Sequence, residues 1–417
     1  MVAISHRAAE RLRSGHVWVY RSDVAEANGI ASGSLVSVHE EGAKVSRAVR
    51  PLGSAFYSTG SQIALRLLSR APVDDLDQLL RDRIREAIAY RERFVENSNA
   101  YRVIFSEADF LPGLIVDRYN DILSMQVLTQ AMDRQHIREV VISELAQALN
   151  PAAIVERVDA RVRRLEQLPE KQSGVIWPQP DQTDCGETGV SPVSDVSGVC
   201  PASFDPLTTE FQMNGVRFTY EAFGSQKTGA FLDQRENYAA AAQYARGEAL
   251  DVFCYQGGFA LHLARVCDKV TGVDSSRSAL ELAERNAKLN AKELDWIEAN
   301  AFDLLRDYSD QRRQYDCIVL DPPAFAKSKR DLPTALRGYK ELNLRALKML
   351  RPGGVLVTCS CSYHVGVEDL LQTLLSAAQD SHRIVRILEN RGAAKDHPNV
   401  LGIPESAYLK CLIVLVS

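Results

Sequence analysis

Two stretches of this chain place reactive side chains at the ends of strand-like runs. The first is Asp321-Pro322-Pro323-Ala324-Phe325, which follows YDCIVL. Its two prolines stiffen the backbone and remove donors, so they hold a carboxylate and an aromatic ring at one mouth. A planar base could stack on Phe325 while Asp321 meets its polar edge. The second is Thr358-Cys359-Ser360-Cys361-Ser362, which follows VLV. A cysteine inside a strand is ordinarily inert packing, and that reading suffices for Cys254, Cys317 and Cys411. Cys359 and Cys361 share one face by the period of two and lie where the strand leaves its sheet. A thiolate placed there can attack an electron-poor ring.

Three earlier strand ends carry residues suited to a nucleoside. Asp251 leads into Tyr255-Gln256-Gly257-Gly258, where the glycines let backbone approach a ligand and open the next helix. A plain strand–helix turn uses the same residues. The stretch is not GxGxxG, which weakens a dinucleotide reading. Asp274 ends the second strand and can accept bonds from both ribose hydroxyls; it can equally cap the helix that begins near Ser275. At Asn300-Ala301, an amide and a backbone N–H can read adenine, and loop capping accounts for Asn300 as well. Together these ends describe an adenosine pocket with no phosphate cradle, which favours S-adenosylmethionine over a nicotinamide cofactor.

The elements that must position these residues follow a strand–helix alternation from residue 248 onward. ALDVFC, KVTGVDSS, LDWIEAN, YDCIVLDPP, VLVTCS and LKCLIVLV read as strands, with amphipathic helices between most of them. That is the rhythm of a doubly wound α/β fold with a parallel, Rossmann-like sheet, whose ligands sit at the C-terminal strand ends. Upstream, residues 1–70 read as short alternating strands (SLVSVHEE, AKVSRAVRP, QIALRLLS), hence a small β-barrel. Residues 71–168 read as a small central α/β domain. It has a helix over 75–98, a hairpin turned at Asn120-Asp121, a second helix RQHIREVVISELAQALN and a strand AAIVERV. Residues 169–206, dense in Pro, Gly, Ser, Thr and Asp, read as a linker or loop. The catalytic domain then spans 207–417, entered by a hairpin turned at Asn214-Gly215.

Composition fits a globular protein of two or three domains: 417 residues, 46% hydrophobic and 25% charged. None of the eight cysteines forms the CxxC pair of a zinc site, so no metal is expected. The start MVAISHRAAERLRSG lacks the apolar segment of a signal peptide, and no apolar run reaches the length that spans a membrane. A reducing cytoplasm is the expected location. The net charge of −5 does not itself suggest nucleic acid. Residues 1–70, however, hold nine Lys and Arg against five Asp and Glu, a local basic balance of the kind phosphate binding uses.

These motifs together resemble a known family. KTGAFLDQREN (227–237), DVFCYQGGFALHLA, VTGVDSS, DPPAF, RGYKELNLRAL and SCS are similar to the ribosomal RNA large-subunit cytosine-5 methyltransferases. AERLRSGHVWVYRSDV resembles that family's N-terminal PUA domain, an RNA-binding β-barrel, and the likeness runs over nearly the whole chain. It implies methylation of a cytosine in ribosomal RNA, with Cys361 as the nucleophile that adds to carbon 6. Carbon 5 then takes the methyl group, a base removes its proton, and the thiol leaves. Asp321 would bond the cytosine edge, beside Pro322, Pro323 and Phe325. Gln234 and Arg235 would help hold S-adenosylmethionine, with Phe231 beside them and Tyr255, Gly257, Gly258, Asp251, Asp274, Asn300 and Ala301 in the cofactor roles above. The chain departs from many RNA cytosine-5 methyltransferases at Pro323, where they carry a second cysteine, so Cys361 must act with another base. The sequence also allows a homodimer through the central domain.

Two rival readings remain at this level. Asp-Pro-Pro-Ala-Phe is similar to nitrogen methyltransferase motifs, in which the polar residue orients an amine and no thiol is needed. Alternatively the fold is vestigial and the chain is an RNA-binding or ribosome-assembly protein. The intact glycine turn, Asp274 and Asp321 weigh against the latter.

Overall fold

The computed structural model describes residues 1–27, 29–42, 51–178, 207–224 and 229–417. The expected strand AKVSRAVRP lies almost wholly outside the described residues. The N-terminal unit is a six-stranded sheet in the order Trp18–Tyr20, Ile63–Ser69, Gly53–Tyr57, Leu35–Glu40, Val2–Ile4, Val24–Glu26. Its core includes Val2, Ile4, Val38 and Leu65 packed on Ala8, Ala9 and Leu12 of the helix His6–Arg13. That helix was not read from the sequence. Its signals were the Ser5 hydroxyl, which accepts from the Ala8 N–H at 3.3 Å, and the one-turn spacing of Ala8 and Leu12.

The central unit is a five-stranded sheet in the order Gly174–Trp177, Ala153–Glu156, Ile122–Val127, Leu114–Tyr119, Ala100–Phe105. Helices Leu76–Phe94 and Gln135–Leu149 bury Leu80, Ile84, Ile88, Val141 and Leu145 in its core. Tyr119 pairs with Ile122 across the two-residue turn Asn120-Asp121, with Asn120 at φ +56°. The strand Gly174–Trp177 falls inside the stretch read as a linker. Val175-Ile176-Trp177 is a β-branched and aromatic run, short enough to be masked by the polar residues around it.

The hairpin Thr208–Met213/Val216–Glu221 turns at Asn214-Gly215, at φ +52° and +78°, the pair of left-handed residues that this turn demands. It joins the two larger units. Tyr220 stacks on Tyr119 of the central sheet with ring centroids 4.0 Å apart. Phe211 and Phe218 enter the same buried cluster as Tyr238, Phe259 and Leu263 of the catalytic domain.

The C-terminal sheet has seven strands in the order Asp295–Glu298, Lys269–Asp274, Glu248–Val252, Tyr315–Leu320, Leu350–Ser360, Lys410–Val416, Val385–Arg391. The first five are parallel. The last strand in sequence, Lys410–Val416, lies antiparallel between its neighbours. Helices Arg235–Tyr244, Gly258–Leu263 and Arg277–Leu289 cover one face, with Tyr238, Phe259 and Ala287 buried there. Helices Ala301–Asp310, Leu332–Met349 and Val367–Asp380 cover the other, with Leu305, Leu342 and Leu374 buried. This is the doubly wound α/β sandwich the alternation implied. The edge strand Val385–Arg391 was not foreseen, because its exposed, non-alternating sequence carries no period-two signal.

The units lock together through buried polar contacts. Asp396, fully buried, accepts from the Arg102 N–H at 2.7 Å and pairs with Arg235 at 3.0 Å. Arg91, also fully buried, donates to the Asp396 carbonyl at 2.8 Å. At the N-terminal unit, Gly15 and Gly402 meet back to back; a side chain on Gly402 would overlap the Gly15 carbonyl. His16 lies 3.4 Å from Glu405 beside that contact. Among the described residues no helix is long and apolar enough to cross a membrane.

Candidate active site

The C-terminal ends of the catalytic strands open on a cleft of about 1130 Å³. Phe231, Gln234, Tyr255, Asp274, Asp321, Pro322, Pro323 and Cys361 all line it. Sequence positions spanning 130 residues therefore converge, as the strand-end rule requires.

The cofactor end is built around Asp274. One carboxylate oxygen accepts from the Tyr255 N–H and the other from the Ser276 N–H, both at 2.9 Å. The helix cap is the Ser276 hydroxyl, which accepts from Ala279. Asp274 is therefore released from the capping role, and its remaining lone pairs can face a ribose. The turn before it is strained: Phe253 and Tyr255 adopt φ +67° and +50°, a conformation non-glycine residues hold only when the surroundings enforce it. Gly257 is left-handed at φ +86°. A Cβ on Gly258 would come within 2.5 Å of the Tyr238 ring. Neither glycine lines the cleft; they shape the turn that does.

Several expected contacts resolve into supporting roles. Asp251 is fully buried beneath the turn, where one oxygen accepts from the Ala260 N–H at 2.8 Å. Burial, with Asp321 and Asp274 nearby, pushes its carboxyl up to about 8 against the opposing effect of the Ala260 N–H. It holds the glycine turn from below and does not reach the cleft. Arg235 is also buried and turns away to its ion pair with Asp396. Asn300 caps the helix Ala301–Asp310 by accepting from the Phe302 and Asp303 N–H groups, and Ala301 is buried in that helix. Phe325 is drawn inward against Tyr339 and Phe302, with centroids at 4.9 and 5.9 Å. It braces the loop and does not line the cleft. The cleft has a different aromatic pair, Phe231 set edge-on against Tyr255 at 5.1 Å.

The chemical end joins two loops. The Cys361 thiol points at the Pro322 carbonyl, with sulfur and oxygen 3.8 Å apart, and Gln234 donates to Asp321 at 3.0 Å. Burial, with Asp321 and Asp233 close by, pushes the Cys361 thiol up to about 11. Cys359, one pair back along the strand, is buried beside Cys411 in the core and serves as packing.

The sequence reading missed four supports of this end. The Tyr339 hydroxyl accepts from Ser360 at 2.9 Å and lies 3.1 Å from the Ser362 hydroxyl, so it grips both neighbours of Cys361. Ser362 in turn accepts from the Ala326 N–H at 3.2 Å, tying the two loops together. Lys410 is buried and donates to the carbonyls of Ser362 at 2.6 Å and Tyr408 at 2.8 Å. Its ammonium is pushed down to about 8 by burial, while the neighbouring thiol pulls it up. Asp233 lines the cleft and accepts from the Tyr408 hydroxyl at 2.6 Å. Tyr339 lay within a quoted motif, but no sequence spacing links Lys410 or Tyr408 to Cys361; the antiparallel last strand brings them there.

The charges of the cleft select its ligand. Glu221, Asp233, Asp274, Glu281 and Asp321 line it, and Arg285, the single cation among its described lining residues, is paired with Glu221 at 2.9 Å. A diphosphate would be repelled, whereas a cation such as a sulfonium is favoured. Asp274 with the strained turn fits the ribose of S-adenosylmethionine, and the carboxylates fit its positive sulfur.

Fold and site thus define a Rossmann-like methyltransferase carrying an N-terminal PUA-like unit. Residues 194–414 match the S-adenosylmethionine-dependent methyltransferase family and residues 2–70 the PUA-like domain. A ribosomal RNA large subunit methyltransferase I from Tolumonas auensis is 35% identical over 96% of this chain and 95% of the relative. The protein of that name from Shewanella denitrificans is 33% identical over 97% and 96%. The chain belongs to the S-adenosylmethionine-dependent methyltransferase family that includes these proteins, and it is an enzyme of that class. A solved putative methyltransferase from Streptococcus mutans superposes with a TM-score of 0.77 at 17% identity, covering all of both chains. A putative methyltransferase complexed with SAH gives 0.79 at 17%, over 99% of each. These two likenesses establish the fold.

Proposed function

We propose that the protein methylates carbon 5 of a cytosine in large-subunit ribosomal RNA, in the cytoplasm, through an adduct on Cys361. The names of its relatives and the PUA-like unit support the substrate class. The observation that carries the reaction type is the Cys361 thiol, set against the Pro322 carbonyl beside Asp321 at the cleft mouth. A nitrogen methyltransferase has no use for a thiol there.

S-adenosylmethionine, when bound, supplies an electrophilic methyl group. The residues of the chain prepare its acceptor. Cys361 loses its proton to a cleft carboxylate and adds to carbon 6, which leaves carbon 5 electron-rich. Asp321, oriented by Gln234, bonds the polar edge of the ring. Asp233, held by the Tyr408 hydroxyl, takes the role that a second cysteine would fill at Pro323: it accepts the carbon-5 proton, and the thiolate is expelled.

Methyl transfer to deproteinised large-subunit ribosomal RNA is the test. Wild type should label cytosine, and Cys361→Ala should lose about a thousandfold or more. Full activity in the variant would move the reading to a nitrogen acceptor oriented by Asp321.

A further inference from the structure

A second groove, about 990 Å³ and open to solvent, adjoins the cleft; Leu409 lines both. Its walls grow from the same two catalytic loops. Lys329 and Leu332 follow the Asp321-Pro322-Pro323 loop, and Tyr363 to Val367 follow Cys361. Its lining differs in charge from the cleft's, with Lys329 exposed, Arg391 paired with Glu389 and Lys410 buried. No acidic residue is among its described lining residues, while Lys329, Arg391 and Lys410 are.

Two features of the groove point to a ligand. The Tyr363 ring stands 45% exposed beside Cys361, with His364 edge-on to it at 5.2 Å. Lys329 of its lining and the chain neighbours Lys327 and Arg330 are all exposed, and none has an acidic partner among the described residues. The one acid in that turn, Asp331, is occupied by the Ser328 N–H and hydroxyl at 2.9 and 3.0 Å. The far wall, through Pro404 and Ala407, belongs to the segment that abuts the N-terminal unit at Gly402 and Glu405. The groove therefore runs from the nucleophile toward the PUA-like unit.

We propose that this groove holds the unpaired RNA strand next to the target base, with a flanking base stacked on Tyr363 and its phosphates on Lys327, Lys329 and Arg330. An exposed aromatic beside a row of cations is the arrangement that binds single strands with little sequence preference. A base can reach such a ring only when it has left its own stack. The inference rests on the RNA reading above and adds to it the form of the substrate around the modified base.

The full chain is tested with a short single-stranded RNA and its duplex by fluorescence anisotropy across salt concentrations, alongside methyl transfer to ribosomal RNA. Lys327→Gln/Lys329→Gln/Arg330→Gln should lower the slope of log affinity against log salt by about 2, the share of three phosphates on a single strand. Tyr363→Ala should weaken binding and raise KM about tenfold with kcat little changed, and Tyr363→Phe should restore both. Calorimetric binding of S-adenosylhomocysteine, unchanged in each variant, confirms that they fold. An unaltered salt slope and KM, or a preference for the duplex, overturns the groove assignment while Cys361-dependent methylation by wild type stands. Failure of wild type to methylate RNA overturns the substrate reading and this inference with it.

Discussion

At the residue scale, the position of the Cys361 thiol at about 11 has a direct consequence. Only the thiolate reacts, so alkylation of Cys361 in the free enzyme should climb about tenfold per pH unit through pH 9, where an ordinary thiol levels off. Lys410 is a positioning residue whose charge assists that ionisation until it deprotonates near 8. Lys410→Met should therefore slow alkylation about threefold to tenfold at pH 7, and the gap should close above pH 8; a gap constant with pH would remove Lys410 from this role. Asp233→Asn should let the adduct form but not resolve, so that RNA remains covalently attached in a denaturing gel. The placement of Cys361, Asp321 and Asp274 in one cleft was legible in the sequence because each lies at the end of a strand whose period marks it. Asp251, Arg235, Asn300 and Phe325 lie outside the cleft lining for a common reason: a polar or aromatic residue near a strand end can face the cleft or brace the turn beneath it, and one-dimensional spacing does not say which.

At the scale of elements, the glycine turn is the part most exposed to a single change. Gly258→Ala forces a methyl against the Tyr238 ring, which overpacking of this kind makes cost about 1–3 kcal/mol. Melting temperature and S-adenosylhomocysteine affinity should fall together, since the strained Tyr255 backbone that meets Asp274 is part of the same turn. Retained affinity with lowered stability would separate the turn from cofactor binding. The parallel strands, most of their helices and both two-residue hairpins were legible, because each rests on a local period or an Asn-Gly or Asn-Asp pair; the helices Arg235–Tyr244 and Ala301–Asp310 were not. The helix His6–Arg13 and the strands Gly174–Trp177 and Val385–Arg391 were not. The strands are edges, short or solvated, so their sequences record the neighbours they pair with less than the water they face.

At the scale of the molecule, the units are held by the Asp396 cluster. His397 and Arg235 keep the Asp396 carboxyl well below the ordinary carboxylate value, against the opposing effect of burial. A depressed carboxyl contributes stability that is present above its unfolded value near 3.8 and lost as pH falls through its folded value. Asp396→Asn should thus cost about 3 kcal/mol at pH 7, the scale of breaking a buried pair, and the deficit measured by thermal unfolding should shrink below about pH 3. A deficit that does not depend on pH would assign the loss to packing. Composition allowed two or three units, but the junctions between them were not readable, since Arg91, Arg102, Arg235 and Asp396 are scattered in sequence. The contact of Gly15 with Gly402 is the simplest of these junctions, two backbones meeting with no side chain between them. Such a joint has no slack to take up. If the PUA-like unit anchors RNA while the cleft modifies it, the distance from anchor to target is a fixed length, and the enzyme chooses its nucleotide with a ruler: reach, more than base sequence, decides which base is in range.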